Sequence, residues 1–148
     1  MKKIIITGGN GFIGSNLINF LLRKKFFIIN IDKNAYSKKS YLLRDIKNVN
    51  YKFYKLDINS KKIGNILSKY KPDAIFNLAA ETHVDRSIDS PKDFINTNII
   101  GTFNILNASL KYLSTLSREK KANFRFHHIS TDEVYGDLGR GSKEKFSE

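Results

Sequence analysis

The sequence predicts an α/β fold, a doubly wound parallel sheet of about five strands in the order 3-2-1-4-5. Two observations carry that expectation. Apolar runs of strand length recur along the chain and are separated by segments of helical period, the alternation that parallel sheets require. A glycine-rich turn, Gly8-Gly9-Asn10-Gly11-Phe12-Ile13-Gly14, stands between the first run and the first helical segment.

Lys3–Thr7 reads as the first strand. Phe12, Ile13, Leu17, Ile18, Leu21 and Leu22 then fall at three- and four-residue spacing, giving a helix with one apolar face. Phe26–Ile31 is the second strand, with Asp32 at its end. Residues 33–49 are polar and irregular, with a short helix expected around Tyr41–Ile46. Asn50–Leu56 reads as a third strand, Lys61–Lys69 as a helix and Ala74–Leu78 as a fourth, buried strand. Ser90-Pro91-Lys92-Asp93 announces a long helix: Ser90 can cap it, Pro91 suits the first helical position, and Asp93 completes a capping box. Phe94, Ile99, Ile105, Leu106, Leu110 and Leu113 give that helix a wide apolar face. Asn123–Ser130 is the fifth strand.

Bulk properties narrow the function. With 148 residues and 41% hydrophobic content the chain suits one domain, burying roughly two-thirds of the surface its unfolded form exposes. The absence of cysteine excludes disulfides, thiolate metal sites and a cysteine nucleophile, and agrees with a cytoplasmic setting. Lys2-Lys3 before Ile4-Ile5-Ile6 imitates a signal peptide, but Gly8-Gly9 ends the apolar run short of an h-region. No window approaches the roughly 20 apolar residues of a membrane span. A formal charge of +12 raises the question of nucleic acid. The lysines, however, are scattered over helices and loops without a basic stripe, so no nucleic-acid partner is expected.

The turn fits G-x-G-x-x-G at Gly9, Gly11 and Gly14, and Gly8, Gly11 and Gly14 fit a related three-residue spacing. Its context gives it weight: it follows a strand, opens a helix, and is followed by Asp32 about 18 residues beyond Gly14. Glycines let the backbone approach a pyrophosphate, and a helix N-terminus supplies N–H groups and partial positive charge. The pattern is that of a Rossmann-type dinucleotide site. Asp32 can accept from the ribose hydroxyls and would repel a 2′-phosphate, which favours NAD over NADP. Asp57 follows the third strand, where a side chain could meet the adenine edge. Leu78-Ala79-Ala80 closes the fourth strand with residues small enough to let a cofactor lie against the backbone.

Thr131, Asp132 and Glu133 follow the fifth strand at the same rim. A carboxyl pair can divide acid and base work when its surroundings separate the two pKa values. On an extended strand the two side chains would point to opposite faces, so joint use requires the chain to leave strand geometry there. His83, His127 and His128 have no zinc spacing and read as structural, so no metal is expected.

Glu81-Thr82-His83-Val84-Asp85-Arg86-Ser87, Asn96-Thr97-Asn98-Ile99-Ile100-Gly101-Thr102 and Phe126-His127-His128-Ile129-Ser130-Thr131-Asp132-Glu133-Val134-Tyr135-Gly136, with the glycine-rich opening, resemble the dTDP-glucose 4,6-dehydratase family of the extended short-chain dehydrogenases/reductases. The resemblance spans nearly the whole chain, and the Asp-Glu pair after the threonine is its most specific part. It implies NAD as cofactor and dTDP-glucose as substrate, with oxidation at C4, loss of water across C5 and C6, and return of hydride to C6. Carried over by motif, Glu133 removes the C5 proton, Asp132 protonates the departing C6 hydroxyl, and Thr131 bonds near the C4 hydroxyl. The resemblance also assigns Gly8, Gly11, Phe12, Ile13, Gly14, Asp32, Lys33, Asp57, Ile58, Leu78, Ala79, Ala80, Thr82 and Thr97 to the cofactor, with Thr82 also near the sugar. Thr82 stands where the family usually has serine, and Asn34-Ala35 replaces its common Leu-Thr.

The family's C4 oxidation uses a Tyr-x-x-x-Lys pair on the helix after the fifth strand. Here the string occurs at Tyr51 to Lys55, inside the third strand, where four-residue spacing does not bring two side chains together. The resemblance therefore implies that residues 1–148 are an N-terminal NAD-binding portion without the family's sugar-nucleotide lobe, binding NAD weakly at best and not turning over. It implies a homodimer for the intact enzyme, built on the Pro91 helix and the helix after the fifth strand, and doubtful for this chain. Another sugar-nucleotide dehydratase or epimerase, such as one acting on UDP-glucose, and a non-catalytic NAD-binding module are the alternatives.

Overall fold

A computed structural model describes residues 1–34, 43, 46, 48–82, 84–139 and 141–147. The elements are β1 (Lys3–Thr7), α1 (Phe12–Arg23), β2 (Phe27–Asp32), β3 (Tyr51–Lys55), α2 (Ile63–Tyr70), β4 (Ala74–Asn77), α3 (Val84–Asp89), α4 (Pro91–Phe94), a π-helical stretch (Ile95–Gly101), α5 (Thr102–Ser114), α6 (Arg118–Asn123), β5 (Arg125–His128) and a 3₁₀ turn (Asp132–Tyr135). The five strands form one sheet in the order β3-β2-β1-β4-β5, and each pairing is parallel. The expected fold is the observed one. β1 has the expected bounds and the ends of the other strands shift by at most two residues, and the helix expected around Tyr41–Ile46 lies largely outside the described residues.

β1 and β2 occupy the middle of the sheet because their isoleucines are apolar on both faces. Ile4, Ile6 and Ile28 pack under Ile18 and Leu21 of α1. Ile5, Ile29, Ile31 and Ile75 pack on the other face against Ile66 and Leu67 of α2 and Ile105 and Tyr112 of α5. Full burial of each such side chain stabilises the fold by roughly 1.5–3 kcal/mol. At one edge β3 exposes Lys52 and Lys55, charges that discourage a further strand from pairing.

The Pro91 helix departs from expectation in three ways. Pro91 takes the first helical position, but the Ser90 hydroxyl makes no capping bond; the Ser90 carbonyl instead accepts from the Asp93 amide at 3.1 Å. The helix widens to π geometry over Ile95–Gly101. The apolar residues also divide into two stripes rather than one wide face. Thr97, Gly101, Ile105, Ser109 and Tyr112 turn inward, while Ile95, Ile99, Phe103, Leu106 and Leu110 are exposed. The inward stripe is partly polar because it meets the site as well as the core, which hides it from a reading by apolar spacing. The short helices α3 and α6 were not foreseen. α6 starts where the Ser117 hydroxyl accepts from the Lys120 amide, and the all-polar sequence of its first turns offers no apolar period to read.

Candidate active site

The turn after β1 is shaped by close approaches of backbone to backbone. Gly8 has φ of +67°, and a Cβ there would lie 2.7 Å from the Ala79 Cα and the Leu78 carbonyl carbon. A Cβ on Gly14 would lie 2.5 Å from the Gly8 carbonyl oxygen and 2.7 Å from the Gly9 Cα, so α1 begins directly against the turn. Gly9 rests on the Asn30 carboxamide. Gly11 differs, since its Cβ would meet only the Gly8 oxygen, at 3.3 Å. Gly11 is the N-cap of α1 and brings no side chain to its first amides. Phe12 and Ile13 on that first turn are exposed. A helix N-terminus with open space above its second glycine fits a diphosphate.

Asp32 anchors the same turn. Its Oδ2 accepts from the Asn10 amide at 2.9 Å and its Oδ1 from the Asn34 amide at 2.6 Å. Beneath it, Asn30 Nδ2 donates to Asn10 Oδ1 (2.8 Å) and to the Tyr51 hydroxyl (2.9 Å). Tyr51 is thus engaged in the sheet, and burial, with a smaller push from Asp32, raises its phenol against the lowering effect of Asn30. With Lys55 on the same strand, Tyr51 and Lys55 are no catalytic pair.

A cavity of about 480 Å³ opens beside Asp32's neighbour Lys33 and is lined by Lys33, Asp57, Asn59, Asp93, Asn96, Thr97, Ile100 and Asn104. Three residues expected at a cofactor, Lys33, Asp57 and Thr97, therefore converge there. Lys33 Nζ lies 2.7 Å from Glu81 Oε1 and 3.2 Å from the Thr97 hydroxyl. The Glu81 side chain is only 3% exposed. Asn98 fixes the Glu81 backbone from both sides, accepting from its amide at 2.9 Å and donating to its carbonyl at 3.0 Å. The π-helical stretch presents Thr97 and Asn98 to this one loop, and such bulges gather at functional sites. Ile58 is buried, its side chain filling the space at Gly101. Leu78 and Ala79 are half-buried against the turn, whereas Ala80 and Thr82 are exposed and do not line the cavity.

The strand register brings the second cluster to the same rim. Thr7 pairs with Asn77 and Asn77 with His128, so the ends of β1 and β5 lie two strand spacings apart, about 10 Å. A polar chain runs across them: the Thr7 hydroxyl donates to Asn77 Oδ1 at 2.5 Å and accepts from the Ala79 amide at 3.2 Å, and Asn77 Nδ2 lies 3.1 Å from His128 Nδ1. His127 stacks on Phe76 at 5.4 Å. Thr131 is still extended, and the chain leaves strand geometry at Asp132. A 3₁₀ turn advances about 120° per residue, so Asp132 and Glu133 do not point in opposite directions as on a strand. Both are exposed. The Thr131 hydroxyl, then the Glu133 amide, bond to the Glu133 carboxyl and hold it below its ordinary range, Asp132 adding a little.

Asn98, Thr7 and Asn77 carry no role in the sequence reading, and Glu81 enters it only as part of the stretch Leu78 to Thr82. The signal for Glu81 was a carboxylate directly after the small residues closing a buried strand; for Thr7 and Asn77 it was a polar residue ending each of two apolar runs.

A parallel sheet in this order, with a glycine turn at β1 and an acid ending β2, defines a Rossmann-type dinucleotide-binding domain. The chain belongs to the GDP-mannose 4,6 dehydratase family, whose sequence pattern matches residues 5–148. It is 52% identical over 141 residues to a dTDP-glucose 4,6-dehydratase of Haemophilus influenzae, covering 93% of this chain and 42% of the relative. It is 46% identical to that of Neisseria meningitidis serogroup B, covering 100% of this chain and 42% of the relative. The chain thus spans about two-fifths of the length of these relatives. Among solved structures it resembles the Bacillus anthracis dTDP-glucose 4,6-dehydratase in complex with NAD, with a TM-score of 0.76 and 31% identity over 98% of this chain and 42% of that one. Among the described residues no helix is long and apolar enough to cross a membrane.

Proposed function

We propose that residues 1–148 are the NAD-binding portion of a dTDP-glucose 4,6-dehydratase and carry the acid and base of its elimination step. The observation that bears most weight is the register Thr7–Asn77–His128, because it sets the glycine turn and the Thr131-Asp132-Glu133 segment on one rim of one sheet. Gly8, Gly11, Phe12, Ile13 and Gly14 hold the diphosphate. Asp32 takes the ribose hydroxyls, and Lys33, Asp57, Ile58 and Thr97 surround the adenosine end. Leu78, Ala79, Ala80 and Thr82 run along the cofactor toward the sugar.

NAD, when bound, supplies the acceptor for the C4 hydride and the hydride later delivered to C6. The 4-keto group acidifies C5–H, and Glu133 takes that proton. Asp132 gives its proton to the C6 hydroxyl, which leaves as water, while Thr131 bonds at C4. Glu133 as it stands, exposed and held below its ordinary range, is ionised and ready to accept; a sugar laid over it would strip water and strengthen it as a base. The exposed stripe Ile95, Ile99, Phe103, Leu106 and Leu110 is the surface on which the whole enzyme would form its homodimer, in the cytoplasm. Tyr51 and Lys55 lie in β3 and so do not serve as the tyrosine and lysine of the C4 oxidation.

Calorimetric titration of NAD and a dTDP-glucose turnover assay on the 148-residue chain test this together. Saturable NAD binding without product is expected. No binding, or turnover by this chain alone, overturns the proposal.

A further inference from the structure

We infer that Glu81 sets the dinucleotide preference, by balancing the charge of Lys33, a lysine that could otherwise attract a 2′-phosphate. The inference rests on the NAD-binding reading above and adds a residue to it. A ribose held at Asp32 places its 2′ position beside residue 33, and Lys33 is a cation in that location. A lysine next to the ribose acid would ordinarily work against Asp32, favouring the phosphorylated cofactor.

The structure removes that conflict. Lys33 reaches across the cavity wall to Glu81, 2.7 Å away, and its Nζ is also 3.2 Å from the Thr97 hydroxyl. Glu81 is nearly sealed from water, at 3% side-chain exposure against 35% for Lys33, so its charge is weakly screened and is felt at short range. Asn98 holds the Glu81 backbone in place through both amide and carbonyl. Among the described residues, the remaining ionisable groups on the cavity wall are the carboxyls of Asp57 and Asp93, and Asp32 stands next in the chain. With the Lys33 charge balanced by Glu81, the described residues on the adenosine side of the site are net negative and disfavour a doubly charged phosphate. Glu81 is thus a positioning and charge-balancing residue that need not touch the cofactor.

The test is calorimetric titration of NAD and of NADP into the wild-type chain, Glu81→Gln and the Glu81→Gln, Lys33→Met double variant. Glutamine is isosteric and its oxygen can still accept from Lys33, so only the charge is lost. The wild type should prefer NAD. Glu81→Gln should raise the NADP-to-NAD affinity ratio about tenfold, the size expected for one unbalanced charge acting on a nearby phosphate, and the double variant should lose that gain. Glu81→Asp, which withdraws the carboxylate by about 1.5 Å, should raise the ratio less, and it reports on the same question if the glutamine variant does not fold. A merely structural role for Glu81 would weaken both cofactors alike and leave the ratio unmoved. An unchanged ratio in a wild-type background that binds NAD overturns this inference alone; a wild-type chain that binds neither cofactor overturns the cofactor reading as well.

Discussion

Replacing Gly8 and Gly11 separately by alanine divides fold from ligand within one turn. At Gly8, φ of +67° costs an alanine roughly 1–2 kcal/mol. Its Cβ would also sit 2.7 Å from Ala79 and Leu78 backbone atoms, which cannot rotate aside as a side chain would; overpacking of this kind costs roughly 1–3 kcal/mol. The sum, roughly 2–5 kcal/mol, is a large share of a domain's stability. With a urea slope of about 2 kcal/mol per molar, the unfolding midpoint should fall by roughly 1–2.5 M. Gly11 has φ of −70° and ψ of 174°, open to any residue, and its Cβ meets only one oxygen at 3.3 Å. Gly11→Ala should therefore cost only about 0.5–1 kcal/mol, from a poorer N-cap. It should nevertheless weaken NAD at least about tenfold, because the methyl occupies the approach to the first amides of α1. Urea unfolding followed by circular dichroism, with NAD titration, reads both effects. A Gly8→Ala chain with the wild-type midpoint refutes the backbone argument, and a Gly11→Ala chain that binds NAD normally refutes the cradle.

Asp32→Asn replaces an acceptor facing the Asn10 and Asn34 amides with a group that must turn a donor toward one of them; NAD affinity should drop about tenfold in calorimetry, and an unchanged affinity would remove Asp32 from the site. Thr131→Val should raise the Glu133 titration midpoint toward the ordinary carboxylate value in a carboxyl-carbon NMR titration. The sign follows from the lowered pKa in the folded chain: the Thr131 bond favours the carboxylate, is intact above the ordinary carboxylate range, and is lost as pH falls through the depressed value. A midpoint unmoved by the substitution would show that the hydroxyl does not reach Glu133. Phe103→Glu, in the centre of the exposed stripe, should reduce self-association in sedimentation velocity, and identical profiles for variant and wild type would discount that surface.

Sequence alone was enough for the parallel sheet and its glycine turn, because isoleucine runs that are apolar on both faces suit central strands and Gly8 and Gly14 answer backbone demands within the turn itself. It also located Asp32, and it marked Tyr51-x-x-x-Lys55 as strand from periodicity alone. What it could not supply was any relation between side chains far apart in the chain. Lys33 and Glu81 are separated by 48 positions, and nothing in either neighbourhood encodes the other. Thr7 and Asn77 read as polar strand ends until the register joins them. The two stripes of the Pro91 helix were likewise merged, since a π turn shifts the helical phase within the segment being read. Local sequence fixes backbone conformation through sterics and hydrogen bonding within a few residues; charge pairing, burial and the joining of strand ends depend on which distant surfaces meet, and only the tertiary structure decides that.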